Sequence, residues 1–210
     1  MLDLFVPLYI LAVIFALVAF FYSSVGLGGG SSYTALLAVF GASTTMIPMV
    51  SLTLNLLVTT IGAIIFLFNG HARLRLISPF IVSSIPAAYL GGVLELPKIL
   101  FYVILIISLL LAAYRVYFPK TTSALNLKGR EKLALALVGG AILGFIAGIT
   151  GIGGGVYLVP LIIILGLGTA KEAAACGAFF IWVNSASGLI ARMQYSSVDL
   201  YNFTPLLIAV

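Results

Sequence analysis

The chain has 210 residues, of which 63% are hydrophobic and 7% charged, and its formal net charge is +5. A soluble domain carries about 25% charged residues, so the composition excludes that class and indicates an all-α integral membrane protein. The basic residues lie between apolar runs, which argues against nucleic-acid binding, and the single cysteine and single histidine provide no ligand set for a metal, so no cofactor is predicted.

The first half of the chain predicts four membrane spans and one shorter helix. A helix needs about 20 apolar residues to cross the hydrocarbon core. The runs with that length lie at 4–22, 45–68, 76–94 and 99–118. Residues 33–40 are also apolar but are too short to cross at about 1.5 Å per residue. They predict a half-length helix that follows the glycine-rich stretch Gly26-Leu27-Gly28-Gly29-Gly30.

A basic segment precedes the second half. Residues 115–132 hold five basic side chains and one acidic side chain, and they read as a linker rather than a span. Beyond it, residues 133–149 predict a span, 156–165 a second half-length helix, and 173–191 another span. Residues 200–210 predict the beginning of one more. We therefore divide the chain into a first transmembrane repeat (1–118), a basic linker (119–132) and an incomplete second repeat (133–210).

The two halves read as tandem repeats. A shift of 125 residues places the glycine stretch at 26–30 on the glycine stretch at 151–155, and places Gly41 on Gly166. The second half has no counterpart for residues beyond about position 84, and we expect that the sequence is truncated. Because ten or so residues do not span, we expect each half-length helix to be re-entrant, turning back to the side it came from. That course favours repeats of the same orientation, although transporters often use inverted repeats.

Lysine and arginine predict which side of the membrane the linker occupies. Cytoplasmic loops are enriched in these residues, so the linker at 115–132 is predicted to be cytoplasmic. With re-entrant helices Lys171 falls outside and Arg192 inside. With fully crossing helices these two exchange sides, and the number of basic residues on the cytoplasmic side is unchanged. Arg192 is interpreted as an anchor at the membrane interface, and the plasma membrane as the location.

The glycine stretches, called break 1 (25–29) and break 2 (151–154) below, predict a substrate site. Glycine costs about 1 kcal/mol in a helix interior relative to alanine, and irregular backbone in a membrane is tolerated only against protein or a watery cavity. A helix that begins after such a break points free N–H groups and a partial positive charge forward, which suits an anion. The alternative is that small residues merely permit close helix packing.

Candidate contacts to the anion come from the breaks and from polar side chains in the spans. A buried amide in lipid must find a partner, so the two asparagines are either substrate contacts or links between helices. The absence of Asp and Glu inside the spans, apart from Glu95 and Glu172 near their ends, argues against a carboxylate proton relay. The candidate substrate-binding residues are Gly28, Gly29, Gly30, Ser31, Ser32, Asn55, Gly153, Gly154, Gly155, Tyr157 and Asn184.

The chain resembles the sulfite exporter TauE/SafE family of membrane transporters. The resemblance rests on the glycines at 26–30, on the stretch from Gly144 to Gly155, and on Ala173-Ala174-Ala175-Cys176-Gly177 followed by Asn184 and Gly188. It implies a multi-pass permease that exports sulfite, sulfoacetate or other sulfur-containing or organic anions. The second half departs from the first in having Val156 and Tyr157 where the first has Ser31 and Ser32.

These observations predict a secondary transporter that moves a small anion by alternating access. The predicted partners are the anion, the lipid bilayer and a coupling ion, either a proton or sodium. A homo-oligomer is left open. The rival hypotheses are a passive anion channel and a non-transport scaffold or assembly component. An enzyme is not expected, because no His–carboxylate pair or Ser–His set lies within the spans.

Overall fold

The computed structural model describes residues 7–117, 129–195 and 204–210, and every regular element within those ranges is an α-helix. The helices are α1 (Leu8–Ser24), α2 (Gly30–Val39), α3 (Met46–Phe68), α4 (Leu74–Val93), α5 (Lys98–Tyr117), α6 (Gly129–Thr150), α7 (Gly155–Ile164), α8 (Ala170–Tyr195) and α9 (Thr204–Ala209). The predicted all-α fold is confirmed, as are the two half-length helices, each of 10 residues. Most of the predicted linker lies outside the described residues.

Four helices, α3, α4, α6 and α8, are long and apolar enough to cross a membrane. Their outward faces carry large apolar side chains that water would disfavour, such as Ile61, Val82 and Ile190. These side chains fit contact with lipid tails, which are as apolar as they are. The composition and the helices together establish a multi-pass membrane protein.

Helix contacts give the direction of each helix. Gly140, Gly144 and Gly148 of α6 lie against Phe80, Ser84 and Ala88 of α4, respectively. Because the residue numbers of these contacting pairs increase in the same direction along both helices, α4 and α6 are parallel. Helix α8 is antiparallel to α3, since Gly62 lies beside Ala178 while Gly188 lies beside Leu52.

These directions define two ends of the bundle. The linker end holds the end of α3 and the starts of α4, α6 and α8. Arg73 and Glu172 form an ion pair there, with Nη1 and Oε1 3.3 Å apart. The far end holds the starts of α3 and α5 and the end of α8. Pro48 at the start of α3 lies against Gly151, which places the end of α6 near the far end as well.

Each break and its half-length helix together run from one end of the bundle towards the other. Gly26 lies against Phe66 and Ala174 near the linker end, whereas Leu37 of α2 packs with Ala42 and Ile47 near the far end. Break 2 begins at the far end, and α7 returns to the linker end.

The predicted re-entrant course is therefore wrong. A ten-residue helix covers only about 15 Å, but a residue outside a helix can advance by up to about 3.3–3.6 Å, so the non-helical residues of each break add to the length of the crossing. As a result α1, α2 and α3 run opposite to their counterparts α6, α7 and α8, and the expected common orientation of the halves is not observed.

Glycines allow the closest helix pair to form. A Cβ at Gly144 would lie 2.5 Å from the Ser84 carbonyl oxygen, and a Cβ at Gly148 would meet the Ala88 carbonyl oxygen. Small residues let helix backbones approach in this way. The α4–α6 contact thus fixes the end of α6, from which break 2 departs.

Candidate functional site

Both half-length helices begin after a glycine in the left-handed conformation. Gly29 is the N-cap of α2 with φ 84°, and Gly154 is the N-cap of α7 with φ 79°. Residues with a Cβ rarely adopt this conformation, whereas glycine does so readily. The backbone therefore requires glycine at the N-cap of both half-length helices, and neither cap uses a side-chain hydrogen bond.

The breaks leave backbone donors free. The first N–H groups of α2 to find an acceptor are those of Ser32 and Tyr33, which donate to the Gly29 carbonyl oxygen at 2.9 and 3.0 Å. In α7 the N–H groups of Tyr157 and Leu158 donate to the Gly154 carbonyl in the same way. Within the described chain, the N–H groups of residues 28–30 and 153–155 have no acceptor. Such groups, at the positive end of a helix dipole, attract anions.

The two breaks meet at the side chain of Asn55. A Cβ added to Gly28 would lie 2.6 Å from Asn55 Oδ1, and one added to Gly153 would lie 2.9 Å from Asn55 Nδ2. A Cβ on Gly30 would collide with the carbonyl oxygen of Ile152, so the backbones of the two breaks also touch each other. Asn55 is completely buried, and its Nδ2 donates to the Gly151 carbonyl oxygen at 3.2 Å.

Ser51 joins the same two breaks one turn earlier on α3. Its hydroxyl lies 3.0 Å from the Gly151 carbonyl oxygen and 3.3 Å from the Gly30 carbonyl oxygen. Ser51 is not among the residues predicted from the sequence. Its position four residues before Asn55 on one helix face is the signal that could have found it. Thr59 lies on the same face of α3, since its Oγ1 donates to the Asn55 carbonyl oxygen at 2.6 Å.

Helix α8 closes the other side of the site. Ile181 lies against Gly153 and Gly155, and Ser185 Oγ would be 3.4 Å from a Cβ on Gly153. Ser185 is fully buried and its hydroxyl has no partner in the described chain, as is also true of Asn55 Oδ1. The site thus combines free backbone donors with two buried polar atoms that can still form a hydrogen bond.

Asn184 has a more local role in this conformation. Its Nδ2 donates to the Phe180 carbonyl oxygen at 2.8 Å, within its own helix. Its Oδ1 is buried and has no partner in the described chain. Phe180 itself lies against Gly154, so Asn184 is one turn along α8 from a residue that packs on break 2.

The hydroxyl groups that follow the breaks are engaged elsewhere. Ser32 Oγ is 3.0 Å from the Tyr22 hydroxyl, and Tyr157 donates to the Ser108 carbonyl oxygen of α5 at 2.6 Å. Ser31 is half-buried on the first turn of α2. The structure therefore does not bring the side chains of Ser32 and Tyr157 to Asn55. The side-chain polar groups at the meeting point come from α3 and α8 instead.

The prediction that Arg192 is an anchor at the membrane interface is wrong. Its side chain is buried, and Nη2 donates to the carbonyl oxygens of Gly148 and Ile149 at 2.9 and 2.8 Å. These carbonyls belong to the last turn of α6, where helical partners are missing. The sequence places Arg192 at the end of a span but does not show which helix end it approaches.

The site is closed in this conformation. Asn55, Ser51 and Ser185 have no exposed surface, and residues 28–30 and 151–155 are buried. Within the described residues no cluster of three His, Cys, Asp or Glu side chains could hold a metal ion. What the arrangement offers a ligand is therefore hydrogen-bond donors and dipoles rather than formal charge.

Comparison with known proteins identifies the family. The description "Sulfite exporter TauE/SafE" matches residues 11–210. The chain is also 37% identical over 198 residues to the "Probable membrane transporter protein y4hK" of Sinorhizobium fredii, which covers 93% of this chain and 80% of that protein. No solved structure matches the chain. With a family match across almost its whole length, the chain belongs to the sulfite exporter TauE/SafE family and is a membrane transporter.

Proposed function

We propose that this protein carries a small anion, in particular a sulfur-containing one such as sulfite or an organosulfonate, by alternating access. One observation carries the proposal: two helix starts with free N–H groups meet at the buried amide of Asn55. The family description names sulfite exporters, which supports this substrate class. An oxyanion with several acceptor oxygens matches a set of donors that converges from two directions.

The site proposed for the anion combines both breaks. The backbone N–H groups of Gly28, Gly29 and Gly30 face it from one side, and those of Gly153, Gly154 and Gly155 from the other. Ser185 Oγ and the second N–H of Asn55 Nδ2 supply side-chain donors, and the second N–H of Asn184 Nδ2 a further one. Ser31, Ser32 and Tyr157 reach the anion only if their present hydrogen bonds change during the transport cycle.

The arrangement of the halves supports alternating access. We infer that the halves are inverted structural repeats, since corresponding helices run in opposite directions and α2 and α7 begin 125 residues apart. Inverted repeats provide two related conformations in which a site near the middle faces one side and then the other. The closed site described above fits an intermediate between them.

The same directions support an assignment to the two sides of the membrane. Arg73, Arg75 and Lys171 lie at the linker end, as do Arg130 and Lys132 at the start of α6. We propose that this end faces the cytoplasm and that the protein resides in the plasma membrane. The coupling ion proposed is a proton or sodium. A homo-oligomer is compatible with the exposed apolar faces.

A transport assay tests the proposal directly. Purified protein in liposomes is expected to move sulfite or sulfoacetate with saturable kinetics that depend on an imposed proton or sodium gradient. Currents that rise linearly with voltage in a planar bilayer would indicate a channel. A lack of transport for sulfite, thiosulfate, sulfate, sulfoacetate and taurine, together with no thermal stabilisation by any of them, would favour a scaffold role.

The Asn55→Ala variant tests the site itself. It removes the hydrogen bond from Asn55 Nδ2 to Gly151 and the amide at the meeting point of the breaks. We expect the apparent affinity for the transported anion to fall about tenfold or more, which corresponds to about 1.4 kcal/mol. Thr53→Ala is the matched control on the same helix, because Thr53 Oγ1 only donates to the Met49 carbonyl oxygen. Equal affinities in the two variants would refute the site.

A further inference from the structure

Arg192 is a buried cation placed at a functional break. Only 6% of its surface is exposed, and it lies near the far end of the bundle, away from the linker. Its Nη2 holds two carbonyl oxygens of the last turn of α6, those of Gly148 and Ile149. Break 2 begins two residues later, so Arg192 fixes the segment from which break 2 departs.

Arg192 shares a face of α8 with the residues that line the site. Ile181 and Ser185 contact break 2. A Cβ added to Gly188 would lie 3.4 Å from the Cα atom of Gly148. Arg192 follows Ser185 by two helical turns, or about 10.5 Å. A path from the site to the far end along α8 therefore passes the guanidinium.

The hydrogen bonds of Arg192 are incomplete. Its Nε is buried without an acceptor in the described part of the chain. The two acceptors it does have are neutral carbonyls, and the acidic group whose charge acts on it is Glu95 in the α4–α5 loop. Burying a cation is costly unless it is paired, so this guanidinium is held by bonds that a competing anion or water could replace.

The linker end is closed by different chemistry. A Cβ on Gly26, before the first glycine triplet, would lie 2.9 Å from Phe66 Cε2 and 2.8 Å from the Ala174 carbonyl oxygen. The Phe66 ring and the backbone of Ala174 thus cover break 1 at that end, and neither is charged. The position 125 residues before Arg192 is Leu67, so the arginine has no counterpart in the first half.

We propose that Arg192 is the positioning residue of a gate at the far end of the transporter. Bound to Gly148 and Ile149, it holds α6 and break 2 against α8 and closes the route to Ser185. When it leaves these carbonyls, the route opens towards the far end only. The proposal rests on the transport function argued above, and its test does not require the substrate to be known.

The single cysteine makes the test direct. Cys176→Ala removes the only native thiol, and Ser185→Cys then places one reporter thiol beside break 2. A membrane-impermeant thiol reagent is applied to the far end, the side from which Ser43→Cys in the α2–α3 loop reacts. With Arg192 present, labelling of the reporter is expected to be slow. Arg192→Gln should accelerate it at least about tenfold, because a neutral amide lacks the charge and the planar fork of arginine.

A second reporter separates a gate from general destabilisation. Ala42→Cys lies in a buried cluster at the same far end, next to Ser43 but away from the proposed route along α8. Faster labelling at Ser185→Cys with unchanged labelling at Ala42→Cys supports the gate. Unchanged labelling at Ser185→Cys, or equal acceleration at both reporters, would overturn it. Absence of transport in liposomes would instead refute the proposed function and leave the labelling result intact.

Discussion

At the scale of single residues, Gly30 shows how tightly the two breaks depend on each other. It is the first residue of α2, where neither helix propensity nor a left-handed backbone favours glycine. A Cβ at this position would collide with the Ile152 carbonyl oxygen. That oxygen belongs to the backbone of break 2 and has little freedom to move. Contact between the breaks therefore outweighs helix propensity at this position.

Gly30→Ala is accordingly expected to reduce the rate of transport by at least about tenfold, which corresponds to about 1.4 kcal/mol in the activation free energy of transport. It is also expected to lower the melting temperature. Gly139→Ala is the matched control in α6, since its Cβ would meet only Leu161 at 3.7 Å and Phe80 at 3.9 Å. The control should transport normally and be at least as stable as the parent protein. Liposome transport and thermal unfolding in detergent measure both effects. Normal transport by Gly30→Ala would contradict the contact between the breaks.

The residue scale also shows what a sequence can reveal about a site. The glycine triplets stand out because irregular backbone is costly in a membrane unless protein or water surrounds it. Asn55 stands out because a buried amide is costly there unless it has a hydrogen-bond partner. Ser51 does not stand out, because a serine in a span is commonly satisfied by its own helix. The partners of Arg192 lie 43 and 44 residues away along the chain. No local pattern reports that distance, so the interfacial interpretation was the natural one and was wrong.

At the scale of elements, the start of α8 is fixed by a reciprocal cap. The Thr169 N–H donates to Glu172 Oε2 at 2.7 Å, and the Glu172 N–H donates to Thr169 Oγ1 at 3.3 Å. The sequence Thr169-Ala170-Lys171-Glu172 fits the capping-box pattern. The apolar run alone predicted a start at 173, three residues too late, because the first turn of α8 is polar.

Thr169→Ala is expected to destabilise the protein by about 1 kcal/mol, because it removes the N-cap hydroxyl. Thr169→Ser retains that hydroxyl and should preserve stability. Thermal unfolding of the two variants in the same detergent measures the difference. Transport at a temperature well below unfolding should be unchanged in both, since the cap lies at the linker end, away from the point at Asn55 where the two breaks meet. Equal melting temperatures for the two variants would show that the cap contributes nothing.

At the scale of the whole molecule, the existence of the helices was predictable and their course was not. Apolar length identified the spans and half-length helices within a few residues. The error lay in treating the half-length helices as isolated rods. The non-helical breaks contribute to the crossing, and their length depends on backbone conformation rather than on hydropathy. Adding one crossing to the first half reverses the second half.

This reversal gives a test of topology. In the structure, Asn69 and Lys171 line the same cavity at the linker end, so cysteines at both positions should react with an impermeant reagent from the same side. Ser43→Cys should react from the opposite side. Halves of common orientation, with re-entrant α2 and α7, would place Asn69 and Lys171 on opposite sides while leaving Ser43 where it is. Labelling of intact cells and of inverted vesicles, in the Cys176→Ala background, separates these two arrangements. If Lys171→Cys reacts from the side of Ser43→Cys, the inverted arrangement is refuted, and the proposed alternation between two related conformations loses its structural basis.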